Sequence, residues 1–132
     1  MSEPEQAEVV LVAEDESLIA MMIEDELQGA GYEVAGPFAT TSAALHWLSS
    51  DTPDFAVLDT NLRDGSSRAV ARELITRRVS FVVFSGYKPA MNTVPEFDDA
   101  VWLEKPSPSG ALVQALAVLR DAGGAGGVGL PN

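Results

Sequence analysis

Residues 9–13 read Val-Val-Leu-Val-Ala and lead directly into two acids, Glu14 and Asp15. An apolar run of this length, without polar alternation, predicts a strand buried on both faces of a parallel sheet. Further apolar runs also end on polar residues: 55–58 before Asp59, 81–84 before Ser85, and 100–103 before Glu104-Lys105-Pro106. The pattern therefore predicts several parallel strands that end at one edge of a sheet.

Helix-length segments with apolar periodicity separate these runs. We predict a first strand over 8–13, a helix over 17–29, a short strand over 32–37, and helices that begin near 40–42, 66–67 and 107–109. The fold class is then α/β, a three-layer sandwich in which five parallel strands alternate with about five helices. On the first helix we assign Met22 to the buried face, and we assign Met21 and Met91 to the core as well.

The segment 88–99 departs from this regular alternation. A crossover between parallel strands usually contains a helix. Pro89 and Pro95, however, bracket only five residues, and proline is poorly tolerated inside a helix. We therefore predict an atypical, short or poorly ordered fourth helix.

Length and composition restrict the possible function. The 132 residues are enough for one domain, which we place at 8–121 between a disordered arm (1–7) and a glycine-rich flexible tail (122–132). A net charge of −12 disfavours binding to nucleic acid or to anionic membranes, and cysteine is absent from the sequence. The acidic start does not resemble a signal peptide, so we predict a cytoplasmic protein.

The carboxyl ends of neighbouring parallel strands meet at one edge of the sheet, where ligands bind. Glu14, Asp15 and Asp59 would crowd there, and their mutual repulsion would be relieved by a divalent cation. Mg²⁺ prefers oxygen ligands, so two carboxylates and a backbone carbonyl after Asp59 would suit it. Asp59 could also act as a nucleophile that forms an acyl phosphate, with Lys105 and Ser85 contacting the phosphoryl oxygens.

Each of these residues alone has a structural interpretation that is more common. An acidic pair after a strand usually begins a loop or a helix, and a lone serine or lysine at a strand end carries almost no signal. His46, the single histidine, fits a surface or packing position better than a metal site. The functional interpretation therefore depends on the joint placement of the reactive residues at neighbouring strand ends.

At this point the sequence resembles the receiver domain of two-component response regulators, over roughly residues 8–120. The resemblance is carried by Val-Leu-Val-Ala-Glu-Asp-Glu at 10–16, Ala-Val-Leu-Asp-Thr-Asn-Leu at 56–62, Val-Phe-Ser-Gly-Tyr at 83–87 and Trp-Leu-Glu-Lys-Pro at 102–106. Together and in this order the motifs are highly specific. They imply the flavodoxin-like receiver topology.

The resemblance implies a role for each residue at the predicted sheet edge. Asp59 would accept a phosphoryl group from a histidine kinase or phosphotransfer protein, and Ser85 and Lys105 would engage it. Mg²⁺ would be held by Glu14, Asp15, Asp59 and the backbone carbonyl of Asn61. Trp102 stands where the family usually has an aromatic switch residue that works with the hydroxyl of Ser85.

Some features differ from the common family pattern. Glu14 replaces a more frequent aspartate, and the turn from Asp59 to Gly65 is shorter than usual. The short segment after Ser85 resembles the stand-alone FATGUY subfamily, whose fourth helix is atypical. In that case the switch of Ser85 and Trp102 would differ from that of better-known receivers, with no room for the indole to swing inward.

The predicted function is a single-domain response regulator that signals by phosphorylation-dependent protein–protein interaction and is not an enzyme in the usual sense. One alternative is a degenerate receiver that only binds partners, although the Asp and Lys that such a protein would lack are both present. Another is a phosphatase of the haloacid dehalogenase class. That class generally needs an acid two residues after the nucleophile, where this sequence has Asn61.

Overall fold

A parallel five-stranded sheet forms the centre of the computed structural model, which describes residues 6–124. Its strands lie in the order β2 (Glu33–Phe38), β1 (Val9–Ala13), β3 (Phe55–Leu58), β6 (Ser80–Ser85) and β7 (Val101–Glu104), which is the flavodoxin-like order. The predicted α/β fold is confirmed. The elements are β1 (Val9–Ala13), α1 (Ser17–Gly29), β2 (Glu33–Phe38), α2 (Thr41–Leu48), β3 (Phe55–Leu58), β4 (Asn61–Leu62), β5 (Gly65–Ser66), α3 (Arg68–Thr76), β6 (Ser80–Ser85), β7 (Val101–Glu104) and α4 (Ala111–Gly124).

The two faces of the sheet carry separate apolar layers. On β1, Val10 and Val12 belong to the layer shared with α1 and α4, whereas Leu11 and Ala13 belong to the layer shared with α2 and α3. Because successive side chains of a strand point to opposite faces, a strand covered on both sides must be apolar at every position. This burial on both faces explains why residues 9–13, from which we predicted β1, are apolar without interruption.

Backbone contacts hold the carboxyl ends of the central strands together. The Asp59 N–H donates to the Ala13 carbonyl at 2.9 Å, and the Glu14 N–H donates to the Phe38 carbonyl at 2.9 Å. Gly36 permits the close approach of β2, because its φ is +102° and a Cβ there would lie 2.8 Å from the Val12 carbonyl oxygen. The acids that follow β1 and β3 are therefore fixed side by side.

The assignment of methionines to the core was wrong. Met21, Met22 and Met91 are exposed, with 61% of Met22 accessible to solvent. The buried positions of α1 are Ala20, Ile23 and Leu27, which repeat at helical spacing. Met22 precedes Ile23 by one residue, a rotation of about 100° around the helix, and so lies off the buried face.

The crossover between β6 and β7 contains no α-helix. Two 3₁₀ turns, Pro89–Met91 and Pro95–Phe97, replace the predicted short fourth helix, so the described chain has four α-helices rather than about five. Each turn begins at a proline, which lacks the N–H that a continuing helix would need. The second turn is anchored to the domain by the buried ring of Phe97 and by ion pairs from Glu96 to Arg68 and Arg72.

The predicted terminal segments lie only partly within the described residues. Residues 1–5 of the arm and 125–132 of the tail lie outside the described residues. Helix α4 continues to Gly124, three residues beyond the predicted end of the domain at 121. Among the described helices, none is both long and apolar enough to cross a bilayer.

Asp64, in the turn between β4 and β5, ties this hairpin to the start of α2. Its carboxylate accepts hydrogen bonds from the N–H groups of Thr41 at 2.8 Å and Ser42 at 3.1 Å. These bonds favour the ionised form and lower the pKa of Asp64. Ionised Asp64 therefore stabilises the fold at neutral pH, and this stabilisation is lost as the pH falls through the lowered pKa.

We expect Asp64→Asn to be less stable than the wild type at neutral pH, with the difference shrinking as the pH falls from about 5 to 2. The asparagine cannot ionise, so its contacts with the two N–H groups do not titrate. Urea unfolding at several pH values measures the difference. Asp51→Asn, at another exposed aspartate, is the matched control. A difference between Asp64→Asn and wild type that stays constant over this range would contradict the assignment.

Candidate functional site

Three carboxylates meet at the carboxyl edge of the sheet, as predicted. Glu14 and Asp15 follow β1, and Asp59 follows β3. One oxygen from each lies within 4.8 Å of the other two. Glu14 is buried, with 3% of its surface exposed, whereas Asp15 and Asp59 are half-buried. The cluster thus has a buried floor and an open side toward solvent.

Lys105 supplies the cation that faces this cluster. It follows β7, and its backbone N–H donates to the Ser85 carbonyl at 2.8 Å. Its Nζ lies 2.7 Å from Oε1 of Glu14 and 2.9 Å from Oδ2 of Asp59. The ammonium also lies 5.6 Å from the ring centroid of Phe84, within range of a cation–π contact. Burial lowers the pKa of Lys105, but the bonds to Glu14 and Asp59 outweigh it and hold the pKa above its ordinary value.

Glu14 has an incompletely satisfied side chain. Its Oε2 accepts a hydrogen bond from the Glu16 N–H at 3.1 Å, but its buried Oε1 has only the ion pair with Lys105 and no well-directed hydrogen bond. Burial raises the pKa of Glu14, with the nearby charge of Asp59 adding to the increase, although Lys105 and the Glu16 N–H oppose it. An oxygen in this state beside two other carboxylates suits a hard divalent cation such as Mg²⁺.

The backbone around Asp59 is fixed by short hydrogen bonds. Oδ1 of Asp59 accepts from the Thr60 N–H at 2.7 Å, and the hydroxyl of buried Ser67 donates to the Asp59 carbonyl at 2.5 Å. Asn61 lies two residues further on, where it begins β4 of the hairpin, and is exposed. Its backbone carbonyl remains a predicted metal ligand rather than an observed one.

Ser85 is completely buried at the end of β6, next to β3. Its Oγ lies 3.1 Å from Oγ1 of Thr60 and accepts a hydrogen bond from the Tyr87 N–H at 3.1 Å. The carbonyl of Tyr87 in turn accepts the indole N–H of Trp102 at 2.8 Å. The predicted switch residues Ser85 and Trp102 are therefore connected through the backbone of Tyr87.

Two cavities adjoin the site. The larger, about 880 Å³, extends from Asp59 and Lys105 along the α1 side chains of Ile19 and Met22. The smaller, about 300 Å³, lies between Trp102 and the crossover. Trp102 and Thr60 are among the residues that line the smaller cavity, and the predicted lack of room for the indole to move inward stays a prediction.

Sequence reasoning missed several contributors to the site. These are the hydroxyls of Thr60 and Ser67, the ring of Phe84 and the backbone of Tyr87. The sequence could have suggested a role for Thr60, because it is a polar residue directly after the predicted nucleophile. The others occupy positions that any loop or apolar strand could contain.

Comparisons with known proteins agree on one family. The model of the response regulator receiver domain matches residues 10–117. The solution structure of SdrG from Sphingomonas melonis is 35% identical, covers 88% of this chain and 98% of its own, and superposes with a TM-score of 0.74. A response regulator receiver protein from Sinorhizobium medicae is 30% identical, with coverage of 89% and 97% and a TM-score of 0.76.

Curated relatives are longer than this chain. The phyllosphere-induced regulator PhyR of Methylorubrum extorquens is 34% identical over 100 residues, which are 74% of this chain. The chain spans between 36% and 38% of the length of the curated relatives that it matches. The similarity therefore concerns one domain of those regulators.

Proposed function

The chain belongs to the response regulator receiver domain family, and from this premise we propose that Asp59 accepts a phosphoryl group from a histidine kinase or a histidine phosphotransfer protein. The observation that carries the proposal is the position of the Asp59 carboxylate, half-buried and 2.9 Å from Nζ of Lys105. Both residues that a degenerate receiver would lack are present and in contact. Receiver domains serve phosphorylation-based signalling.

In the proposed transfer, one carboxylate oxygen of Asp59 forms a bond to phosphorus while the P–N bond of the donor phosphohistidine breaks. The released imidazole takes up a proton, and Asp59 becomes an acyl phosphate. Lys105 holds Asp59 in position beforehand and then offers its charge to the phosphoryl oxygens. Such transfer depends mainly on positioning and on charge neutralisation, which these contacts supply.

We also propose that Glu14, Asp15, Asp59 and the backbone carbonyl of Asn61 hold Mg²⁺. The donor atoms are all hard oxygens, and the buried carboxylate of Glu14 lies among them. When bound, the ion would neutralise negative charge on the phosphoryl oxygens. Glu14 and Asp15 would then no longer repel the incoming phosphoryl group.

The larger cavity supports docking of the phosphodonor protein beside α1. It opens next to Asp59 and is lined by apolar side chains such as Ile19 and exposed Met22 and by acids, among them Asp25 and Glu26. A donor that places its phosphohistidine over Asp59 would cover this surface. The short crossover after Ser85, with its 3₁₀ turns, supports similarity to the FATGUY subfamily. We propose that the phosphorylated domain signals by binding a downstream protein.

Labelling with a small phosphodonor tests the function directly. Acetyl phosphate with Mg²⁺ should add one hydroxylamine-labile phosphoryl group per chain, observed by intact mass. EDTA should abolish the labelling, because without the cation the clustered carboxylates repel the donor. A phosphorylated histidine phosphotransfer protein should transfer its label under the same conditions. Absence of labelling from both donors would contradict the proposal.

A further inference from the structure

Thr60 places a second buried hydroxyl beside Ser85. Only 9% of Thr60 and none of Ser85 is exposed, and their oxygens lie 3.1 Å apart. Among the described residues, this is the one hydrogen bond that the Thr60 side chain makes. Either hydroxyl can donate its own proton to the other, and which of them donates decides whether the Ser85 proton is free for another acceptor.

A count of donors and acceptors shows the consequence. A serine hydroxyl has one proton and two lone pairs. One lone pair of Ser85 accepts the Tyr87 N–H at 3.1 Å. If Ser85 donates to Thr60, its single proton is already used. If Thr60 donates to Ser85, both lone pairs are occupied and the Ser85 proton is free for another acceptor.

We propose that Thr60 is a positioning residue whose hydroxyl donates to Ser85 when Asp59 is phosphorylated, which directs the Ser85 proton to a phosphoryl oxygen. This inference rests on the proposed phosphorylation of Asp59. Before transfer either hydroxyl can be the donor of this hydrogen bond. The arrival of the negatively charged oxygen selects the arrangement in which Thr60 donates, because hydrogen bonds to charged acceptors are the stronger ones.

The backbone of Thr60 is suited to this role because it is held from both sides. Its N–H donates to Oδ1 of Asp59 at 2.7 Å, and its carbonyl accepts the Ser67 N–H at 3.0 Å. The hydroxyl of Thr60 is therefore held in a fixed position relative to the acceptor carboxylate. Ser85 also accepts the Tyr87 N–H, and the Tyr87 carbonyl accepts the indole N–H of Trp102. The Thr60 hydroxyl is therefore hydrogen-bonded to the chain of contacts that links the two predicted switch residues.

Thr60→Val tests the inference, because valine keeps the branched shape and removes only the hydroxyl. We expect phosphorylation by acetyl phosphate to slow about five-fold, the effect of losing roughly one oriented hydrogen bond. Thr60→Ser, which keeps the hydroxyl, should restore a rate close to that of the wild type. Thr93→Val is the matched control, since Thr93 is an exposed threonine of the crossover.

A double-mutant cycle separates positioning from a general structural effect. If Thr60 acts through Ser85, Thr60→Val should have no further effect on the rate in a Ser85→Ala background. An unchanged or faster phosphorylation rate in Thr60→Val would overturn the inference. So would a Thr60→Val effect of the same size in the wild-type and Ser85→Ala backgrounds. If Thr60→Val does not fold, as judged by circular dichroism, Thr60→Ala takes its place in the same cycle. Failure of the wild type to label would instead refute the proposed function.

Discussion

Asp59→Asn should reduce phosphorylation by acetyl phosphate or a phosphohistidine donor to below about one-thousandth of the wild-type rate. The reason is that the neutral amide of asparagine is a very poor nucleophile toward phosphorus. The amide is nearly the same size as the carboxylate, so its Oδ1 can still accept the Thr60 N–H seen in the wild type. The rate is measured by the appearance of phosphorylated protein in intact mass spectra.

The controls separate loss of the acceptor from loss of the fold. Asp59→Asn removes a charge from the cluster of Glu14 and Asp15 but also weakens the ion pair with Lys105, so circular dichroism and urea unfolding should accompany the labelling. Asp99→Asn, at an exposed aspartate, should label like the wild type. Persistent hydroxylamine-labile label in the Asp59→Asn variant would show that another residue is the acceptor.

Lys105→Met is expected to destabilise the metal-free protein by about 3 kcal/mol and to slow phosphorylation about 100-fold. Methionine keeps the length and apolar stem of the side chain but removes the charge. Buried Glu14 then loses the cation 2.7 Å from its Oε1, and Asp59 loses its contact at 2.9 Å. Urea unfolding in EDTA measures the first effect, and acetyl phosphate labelling measures the second.

A second variant identifies the source of the instability. In Glu14→Gln/Lys105→Met the carboxylate that would be left unpaired is also neutral, so most of the lost stability should return. The labelling rate should not return, because the phosphoryl group still lacks the lysine. Lys88→Met, at an exposed lysine, is the control for loss of charge alone. If Lys105→Met lowers the free energy of unfolding equally in the wild-type and Glu14→Gln backgrounds, the ion-pair explanation is disproved.

Residues 9–13 and 55–58 show why the sheet could be predicted from sequence. Both strands are covered on both faces, so every position had to be apolar, and no helix face would have required that pattern over so few residues. The site followed from the same fact. Once the strands are parallel, the residues after them share one edge, and the approach of Glu14, Asp15 and Asp59 was predictable.

Met22 and the crossover show where the local pattern failed. A leucine or methionine next to the buried face of a helix can lie in the core or just outside it. A shift of one position along the sequence decides which of the two occurs. The prolines of the crossover predicted an irregular segment correctly. They could not reveal two separate 3₁₀ turns, because the anchors of that segment, Glu96 with its arginine partners on α3, are distant in sequence.

Local patterning was sufficient for the parallel sheet, its strand ends and the family, because burial restricts the choice of residues and the receiver motifs lie within short segments. Only the folded chain decided which polar atoms meet. The contact of Thr60 with Ser85, the bond from Trp102 to the Tyr87 carbonyl, and the ion pair of Lys105 with Glu14 all arise where separate strands end side by side. Hydrogen bonds depend on distances of a few ångströms and on direction, and those are set by packing rather than by spacing along the chain.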